Sequence, residues 1–292
     1  MIREMIMELA RAKINLTLDI LKLREDGYHE VEMIMQTIEL ADEVELTRIK
    51  SGIAFTMDTS QIVGGENIPA DERNLAYRAV LAMQEYCKRD FGVKIHLIKK
   101  IPAAAGLGGG SADAAAVIRG MNWLYDLNLN LNELCLIGEK IGSDVPFCLV
   151  EGTFLARGRG EILYEMPPFK NYAVILLKPN LEISTAWAYK TFDALDSTTV
   201  KHPQTYKIIE MFRIRDFDTA FKYFANVLEP VAEKVFHDLE SYKAKLIQAG
   251  AKVAMMSGSG PTIFALADKA DVDRIVASVQ DLPAQIFVTE TD

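Results

Sequence analysis

Cysteine and histidine are scarce in this sequence. The three cysteines, Cys87, Cys135 and Cys148, are odd in number and none belongs to a CxxC pair. That excludes a disulfide framework, argues against a zinc cage and suits a reducing compartment. The four histidines, His29, His96, His202 and His237, have no HxxxH spacing, and the string His29-Glu30-Val31-Glu32-Met33 lacks the second histidine that a zinc-protease helix needs. Basic residues are also outnumbered. The 32 Lys and Arg stand against 41 Asp and Glu, for a formal net charge of -9, and such a surface repels a phosphate backbone. No apolar run approaches the ~20 residues that span a bilayer. Arg3, Glu4 and Glu8 interrupt the stretch that a signal peptide would need unbroken. The expectation is a soluble cytoplasmic protein, a monomer or homodimer, whose partner is a small molecule rather than nucleic acid or membrane.

What is present is a globular composition, half apolar and a quarter charged over 292 residues, enough for one large or two ordinary domains. Residues 7–20 alternate from Ala12 onward. Ala12, Ile14, Leu16 and Leu18 fall on one face, and Lys13, Asn15, Thr17 and Asp19 on the other, the pattern of a half-buried strand with a solvated polar side. A turn at 24–29 leads to strands expected at 31–40 and 42–49, a loop at 58–71, a helix at 72–89 with Leu75, Ala79, Ala82 or Met83, and Tyr86 at helical spacing, and a strand at 93–101. Further helices are expected at 114–124 and 131–142, the second stopped by Gly142, and then at 184–195, 205–213, 216–224, 229–248 and 271–280. Strands are expected at 172–179, 252–256, 262–267 and 285–289. Adjacent strands without crossover helices point to α+β rather than a doubly wound sheet, and Pro167-Pro168 marks a division into residues 1–166 and 167–292.

The most informative segment is Gly106-Leu107-Gly108-Gly109-Gly110, between a strand and a helix that Ser111-Ala112-Asp113 is expected to cap. Glycines let the backbone take positive φ and let an anion approach the amides, and the helix N-terminus favours phosphate. Two common versions fail. No GK[ST] follows, as a Walker A loop requires, and Ser111 stands after the glycines where a dinucleotide fingerprint ends differently.

IPAAAGLGGGSADAA (101–115) resembles the ATP-binding signature of the GHMP kinases. ARAKINLTLDI near the start and MSGSGPTIFAL (256–266) resemble that superfamily's first and third motifs, in the same order. Within it, residues 12–40, IGSDVPFC (141–148) and GRGE (158–161) are similar to the branch acting on a cytidine diphosphate-linked methylerythritol. The resemblance implies a two-domain α+β fold, with an N-terminal domain like ribosomal protein S5 domain 2 and a ferredoxin-like C-terminal domain. It implies transfer of the γ-phosphoryl of ATP, with Mg²⁺, to the 2-hydroxyl of that alcohol, in the non-mevalonate route to isoprenoid precursors. No metal-ligating set is read from the sequence itself.

Carried over residue by residue, the resemblance gives Asp144 the hydroxyl proton, although local sequence alone favours a plain helix N-cap there. Lys13 would pair with Asp144 and offset charge on the moving phosphoryl, against the bare reading of an exposed strand lysine. Asn15, on the same strand face, would bind substrate hydroxyls. Tyr28 and His29 would hold the cytosine by packing and edge hydrogen bonds, with Thr185 and Tyr189 beside them; Tyr189 reads equally as a core aromatic. Gly106, Gly108, Gly109, Gly110 and Ser111 would cradle phosphates, with Ser111 also able to reach Mg²⁺. Asn74, Leu75 and Lys99 would line the adenine pocket, Leu75 reading also as helix core. Gly258, Ser259 and Gly260 would form a second loop near the substrate diphosphate. Three positions depart from the family pattern: Ala112 replaces a serine, Val227 a carboxylate, and Pro261 stiffens the second loop. Two alternatives stay open: a GHMP kinase for another small alcohol, and a non-catalytic nucleotide-binding relative.

Overall fold

The computed structural model describes residues 4–62, 65–195 and 200–292. In chain order the elements begin with β1 (Met5–Leu23), β2 (His29–Arg48), β3 (Ile53–Asp58), α1 (Leu75–Cys87), β4 (Val93–Ile98), α2 (Gly109–Leu124), α3 (Leu131–Glu139) and α4 (Val145–Val150). They continue with β5 (Thr153–Arg157), β6 (Ile162–Glu165), β7 (Ala173–Pro179), α5 (Thr185–Phe192), α6 (Thr205–Arg213), α7 (Phe217–Ala220), α8 (Glu229–Ala232) and α9 (Leu239–Gln248). The last are β8 (Val253–Met256), β9 (Ile263–Ala267), α10 (Val272–Val279) and β10 (Ala284–Glu290). No helix among the described residues is long and apolar enough to cross a membrane.

The chain forms two compact units, each built from non-contiguous segments. The first holds the chain up to Lys13, then Leu40–Ala103 and Gly108–Glu151. Here the C-terminal half of β2 pairs antiparallel with β4, from Glu43 opposite Ile98 to Arg48 opposite Val93. β3 lies parallel to β4 on its other side, which requires a crossover, and α1 supplies it. Val93, Ile95 and Leu97 alternate inward along β4 and are fully buried, as period two demands. α2 is rich in alanine, so its backbone comes close to the sheet: a Cβ on Gly120 would stand 2.5 Å from Leu46 Cδ1.

The second unit holds Ile14–Glu39, Ala104–Leu107 and Gly152–Asp292. Its four-stranded sheet has the order β10-β7-β9-β8, antiparallel throughout. With helices between β7 and β8 and α10 between β9 and β10, this is the ferredoxin-like arrangement. Strand β9 is buried along its whole length and β7 along most of it, because helices α9 and α10 pack on the sheet. The N-terminal half of β2 pairs here with β5, which pairs in turn with β6.

Several expectations are corrected. The strands expected at 31–40 and 42–49 are one strand, His29–Arg48, which runs through residue 41 without a break, with Asp42 buried and hydrogen-bonded beside it. β1 is buried on both faces from Ala12 to Ile20, so its polar side is not solvated. α1 buries Ala76, Ala79, Val80 and Met83, not Leu75 and Tyr86. α2 starts at Gly109 rather than Ala114, with Gly108 as its N-cap in the left-handed region (φ 71°), so the Ser111-Ala112-Asp113 segment lies inside the helix and does not cap it. α3 stops at Glu139, before Gly142. The helix expected over 229–248 breaks into α8 and α9, and Phe236 in the break is buried edge-on to Tyr242 at 5.3 Å. The loop expected over 58–71 contains a short 3₁₀ turn at Gly65–Asn67, with residues 63–64 outside the described ones.

Candidate active site

In the first unit the chemistry gathers at the start of α2. Gly108 caps the helix by backbone alone, with no side chain bonded to the first-turn amides. The N–H groups there lie without a side-chain partner on the positive end of a 16-residue helix, where negative charge is favoured. Lys13 runs across this point: a Cβ on Gly108 would stand 3.0 Å from Lys13 Cγ and 3.2 Å from Cε. The Lys13 ammonium lies 3.6 Å from Asp144 Oδ2, with the lysine side chain 6% exposed and the aspartate 30%. Asp144 occupies the N-cap position of α4, yet its side chain caps nothing there. The local cap reading is therefore overturned, and so is the exposed-lysine reading of residue 13. Ser111 faces Gly142, its Oγ 3.9 Å from where a Cβ would be.

Behind the glycines lies a buried ionic triad. Lys99 donates to Asp42 and to Asp113 Oδ2, the latter at 2.5 Å, and all three side chains are nearly inaccessible. Burial works to lower the Lys99 ammonium, but the two carboxylates outweigh it and hold its pKa above the ordinary value. Burial pushes the Asp113 carboxyl up to about 7 against the pull of Lys99, and Asp113 Oδ1 has no hydrogen-bond partner. Asp42 Oδ1 also accepts the Lys100 and Ile101 amides, at 2.5 and 2.8 Å, so the triad ties β2, the chain after β4 and α2 together. The Lys99 ammonium is thus engaged inside the protein, 3.7 Å from a Cβ placed on Gly109. Asn74 caps α1, its Oδ1 accepting from Ala76 N at 2.9 Å and its Nδ2 donating to Pro69 O. Leu75 comes within 3.5 Å of a Cβ placed on Gly110, which puts it at the glycine loop rather than in the helix core.

In the second unit, Asn15 is buried, its Nδ2 donating to Met33 Sδ at 3.3 Å and its backbone N–H to Ser257 Oγ. Thr17 and Asp19 continue the same face: Thr17 Oγ1 accepts Ile34 N at 2.9 Å, and Asp19 pairs with His202 at 2.7 Å. The polar face of β1 is thus buried because each group finds a partner. Gly106 packs against the second loop, where a Cβ would meet Ser257 O at 2.2 Å, and Ser257 Oγ donates to Gly106 O. That loop has Gly258 and Gly260 at φ 57° and 83°, and a cis Gly260–Pro261 bond. Asn226 Nδ2 donates to Met256 O and Gly258 O, at 2.9 and 2.8 Å. Glu229, raised above the ordinary range by burial, accepts Met256 N. Both braces come from Asn226-Val227-Leu228-Glu229, the segment in which Val227 replaces a carboxylate and for which a structural role is expected. Val227 and Ala112 are fully or nearly fully buried, so a polar side chain at either would need a partner of its own.

Helix α5 brings the remaining residues together. Thr185 Oγ1 lies 2.9 Å from Ser259 Oγ. One turn on, the Tyr189 ring lies 5.2 Å from the His29 ring, and His29 Nε2 is 2.7 Å from Asp193. Tyr189 is thus a ring partner of His29. Tyr28 is 56% exposed, with the Arg159 guanidinium 5.1 Å over its ring. Arg159 comes from the GRGE turn, which Glu161 locks by accepting Arg159 N at 2.6 Å.

Known proteins share this organisation. A model of the GHMP kinase N-terminal domain matches residues 74–152, and one of the C-terminal domain matches 208–285. A 4-diphosphocytidyl-2-C-methyl-D-erythritol kinase from Exiguobacterium sibiricum is 45% identical over 259 residues, covering 89% of this chain and 88% of the relative. Its counterpart from Bacillus pumilus is 43% identical, covering 97% and 95%. A crystal structure of a 4-(cytidine 5'-diphospho)-2C-methyl-D-erythritol kinase matches with a TM-score of 0.78 at 28% identity, covering 98% and 99%. With likeness of this extent in sequence and in fold, the chain belongs to the GHMP kinases, in the group of the 4-diphosphocytidyl-2-C-methyl-D-erythritol kinases.

Proposed function

We propose that the protein transfers the γ-phosphoryl of ATP to the 2-hydroxyl of 4-diphosphocytidyl-2-C-methyl-D-erythritol, in the non-mevalonate route to isoprenoid precursors. One observation carries the reading: Asp144 stands at a helix start without capping it, beside a buried lysine that crosses an uncapped glycine turn. The first-turn amides of α2 hold the phosphates. Asp144 aligns the hydroxyl and accepts its proton as the new O–P bond forms and the bond to the bridging oxygen breaks. Lys13 offsets the negative charge gathered between the two. Among the described residues no cluster of three His, Cys, Asp or Glu gathers. Ser111 would supply a protein oxygen to Mg²⁺ held with the nucleotide, which would offset phosphate charge.

His29 and Tyr28 read the cytosine, while Asn15, Thr185 and Ser259 serve the rest of the substrate. Asn74 and Leu75 border the adenine. Lys99 supports that region through the triad. Residues 1–166 and 167–292 are read as the two kinase domains, in a cytoplasmic enzyme. A coupled ADP-release assay tests the activity, comparing the cytidine substrate with mevalonate, homoserine and galactose. Turnover with the cytidine compound alone is expected, and preference for another alcohol would refute the assignment. In the same assay Asp144→Asn lowers kcat by roughly 10²–10⁴ with ATP affinity nearly kept; near-normal turnover would return Asp144 to a structural role.

A further inference from the structure

Thr185, Tyr189 and Asp193 are spaced i, i+4, i+8 and so form one stripe along α5 and its C-cap. The first two meet Ser259 and His29. The third, which no motif singles out, also meets His29: Asp193 Oδ1 lies 2.7 Å from Nε2, with the imidazole side chain 9% exposed. Helix stability does not account for the carboxylate. Asp193 sits at the C-terminal end of α5, where the helix dipole disfavours negative charge. A residue that breaks a local rule in this way has its reason in what it touches. A carboxylate only accepts, so Nε2 carries the proton. Nδ1, which makes no hydrogen bond among the described residues, is then the atom His29 presents. The second nitrogen of a histidine is set by what holds the first.

We propose that Asp193 is a positioning residue for base recognition: it fixes the orientation of the His29 ring and the proton on Nε2, and thereby the hydrogen bond that Nδ1 offers to the pyrimidine edge. Tyr189 closes one side of the same ring, so a single helix face clamps His29 by its ring and by one nitrogen. The inference rests on the reading that His29 contacts the cytosine.

The test compares Asp193→Ala, Asp193→Asn and His29→Ala in steady-state kinetics with the cytidine substrate and ATP, alongside long-range ¹H–¹⁵N NMR of the histidine rings. Asp193→Ala is expected to raise KM for the cytidine substrate about tenfold, the scale of one charge-assisted hydrogen bond, with KM for ATP within about twofold. The His29 spectrum should change from a ring protonated at Nε2 to a mixture of tautomers. Asp193→Asn, whose side-chain carbonyl still accepts from Nε2, should recover most of the affinity. An Asp193→Ala variant with unchanged cytidine KM and unchanged His29 signals overturns the proposal, as does one that weakens ATP equally. If His29→Ala itself leaves the cytidine KM unaltered, the cytosine reading fails as well. If His29→Ala raises it and Asp193→Ala does not, only the role of Asp193 fails.

Discussion

The two glycine loops solve different problems with the same residue. In the first, the glycines at the start of α2 leave amides bare and let the Lys13 methylenes pass over Gly108. Its neighbours are side chains, and among the described residues no side chain bonds its first-turn amides. In the second, Gly258 and Gly260 also take positive φ, but the loop is held by Asn226 on two carbonyls and by Glu229 on Met256 N. The first loop is a backbone surface with no side-chain cap, open as the proposed phosphate cradle requires. The second is a fixed shape, whose Ser259 hydroxyl is aimed at Thr185. Glycine content alone therefore says little about role; the partners of the flanking groups distinguish an open cradle from a braced wall.

Substitutions can break this contrast. The largest effect is expected at the first loop. A Cβ at Gly109 already stands 3.1 Å from Ile101 Cγ2, and a branched side chain there crowds the amides as well. Gly109→Val should raise KM for ATP by roughly ten- to hundredfold and leave the affinity for the cytidine substrate, measured by calorimetry, nearly intact. Equal loss of both would mean the loop is only structural.

Next comes the brace. Asn226→Ala strands two buried carbonyls and frees Leu228 N, at a cost of about 2–3 kcal/mol in chemical denaturation. It should raise the cytidine KM about tenfold and spare ATP. A variant as stable as the parent would show that the second loop needs no brace.

The smallest effect is a pH dependence behind the first loop. The Asp113 carboxyl is raised to about 7, chiefly by burial, so between pH 4 and 7 the folded state holds a proton that the unfolded chain has released. Stability from this group therefore falls as pH rises through that window. Asp113→Asn removes the dependence and leaves Lys99 paired with Asp42. Relative to the parent, the variant should gain about 1–3 kcal/mol between pH 4 and 8. A difference that stays flat with pH would contradict the buried carboxyl's role.

Much of this was legible beforehand. The strand–glycine–helix context picked out the turn that opens α2 without a side-chain cap, and the alternation along β1 placed Lys13 and Asn15 on one face. What failed was the inference from polar to exposed. Lys13, Asn15, Thr17 and Asp19 are all buried, because partners distant in sequence satisfy them, and a local pattern holds no record of those. Asp42 was placed inside a strand, but what buries its carboxylate, Lys99 and two amides, is equally distant in sequence. The start of α2 moved because glycines weigh against a helix locally, whereas packing of its alanine-rich face carries the helix back to Gly109. Asp193 was within reach, since the i+4 spacing from Thr185 to Tyr189 continues to it.

The central claim is that the bare amides at the start of α2 hold the triphosphate and direct its γ-phosphate toward Asp144. A crystal structure with a non-hydrolysable ATP analogue tests it most directly. The account predicts phosphate oxygens within hydrogen-bond distance of the Gly109 to Ser111 amides, with the Lys13 ammonium between the γ-phosphate and the Asp144 carboxylate. Phosphates bound elsewhere, with those amides facing solvent and Asp144 remote from the γ-phosphate, would contradict it.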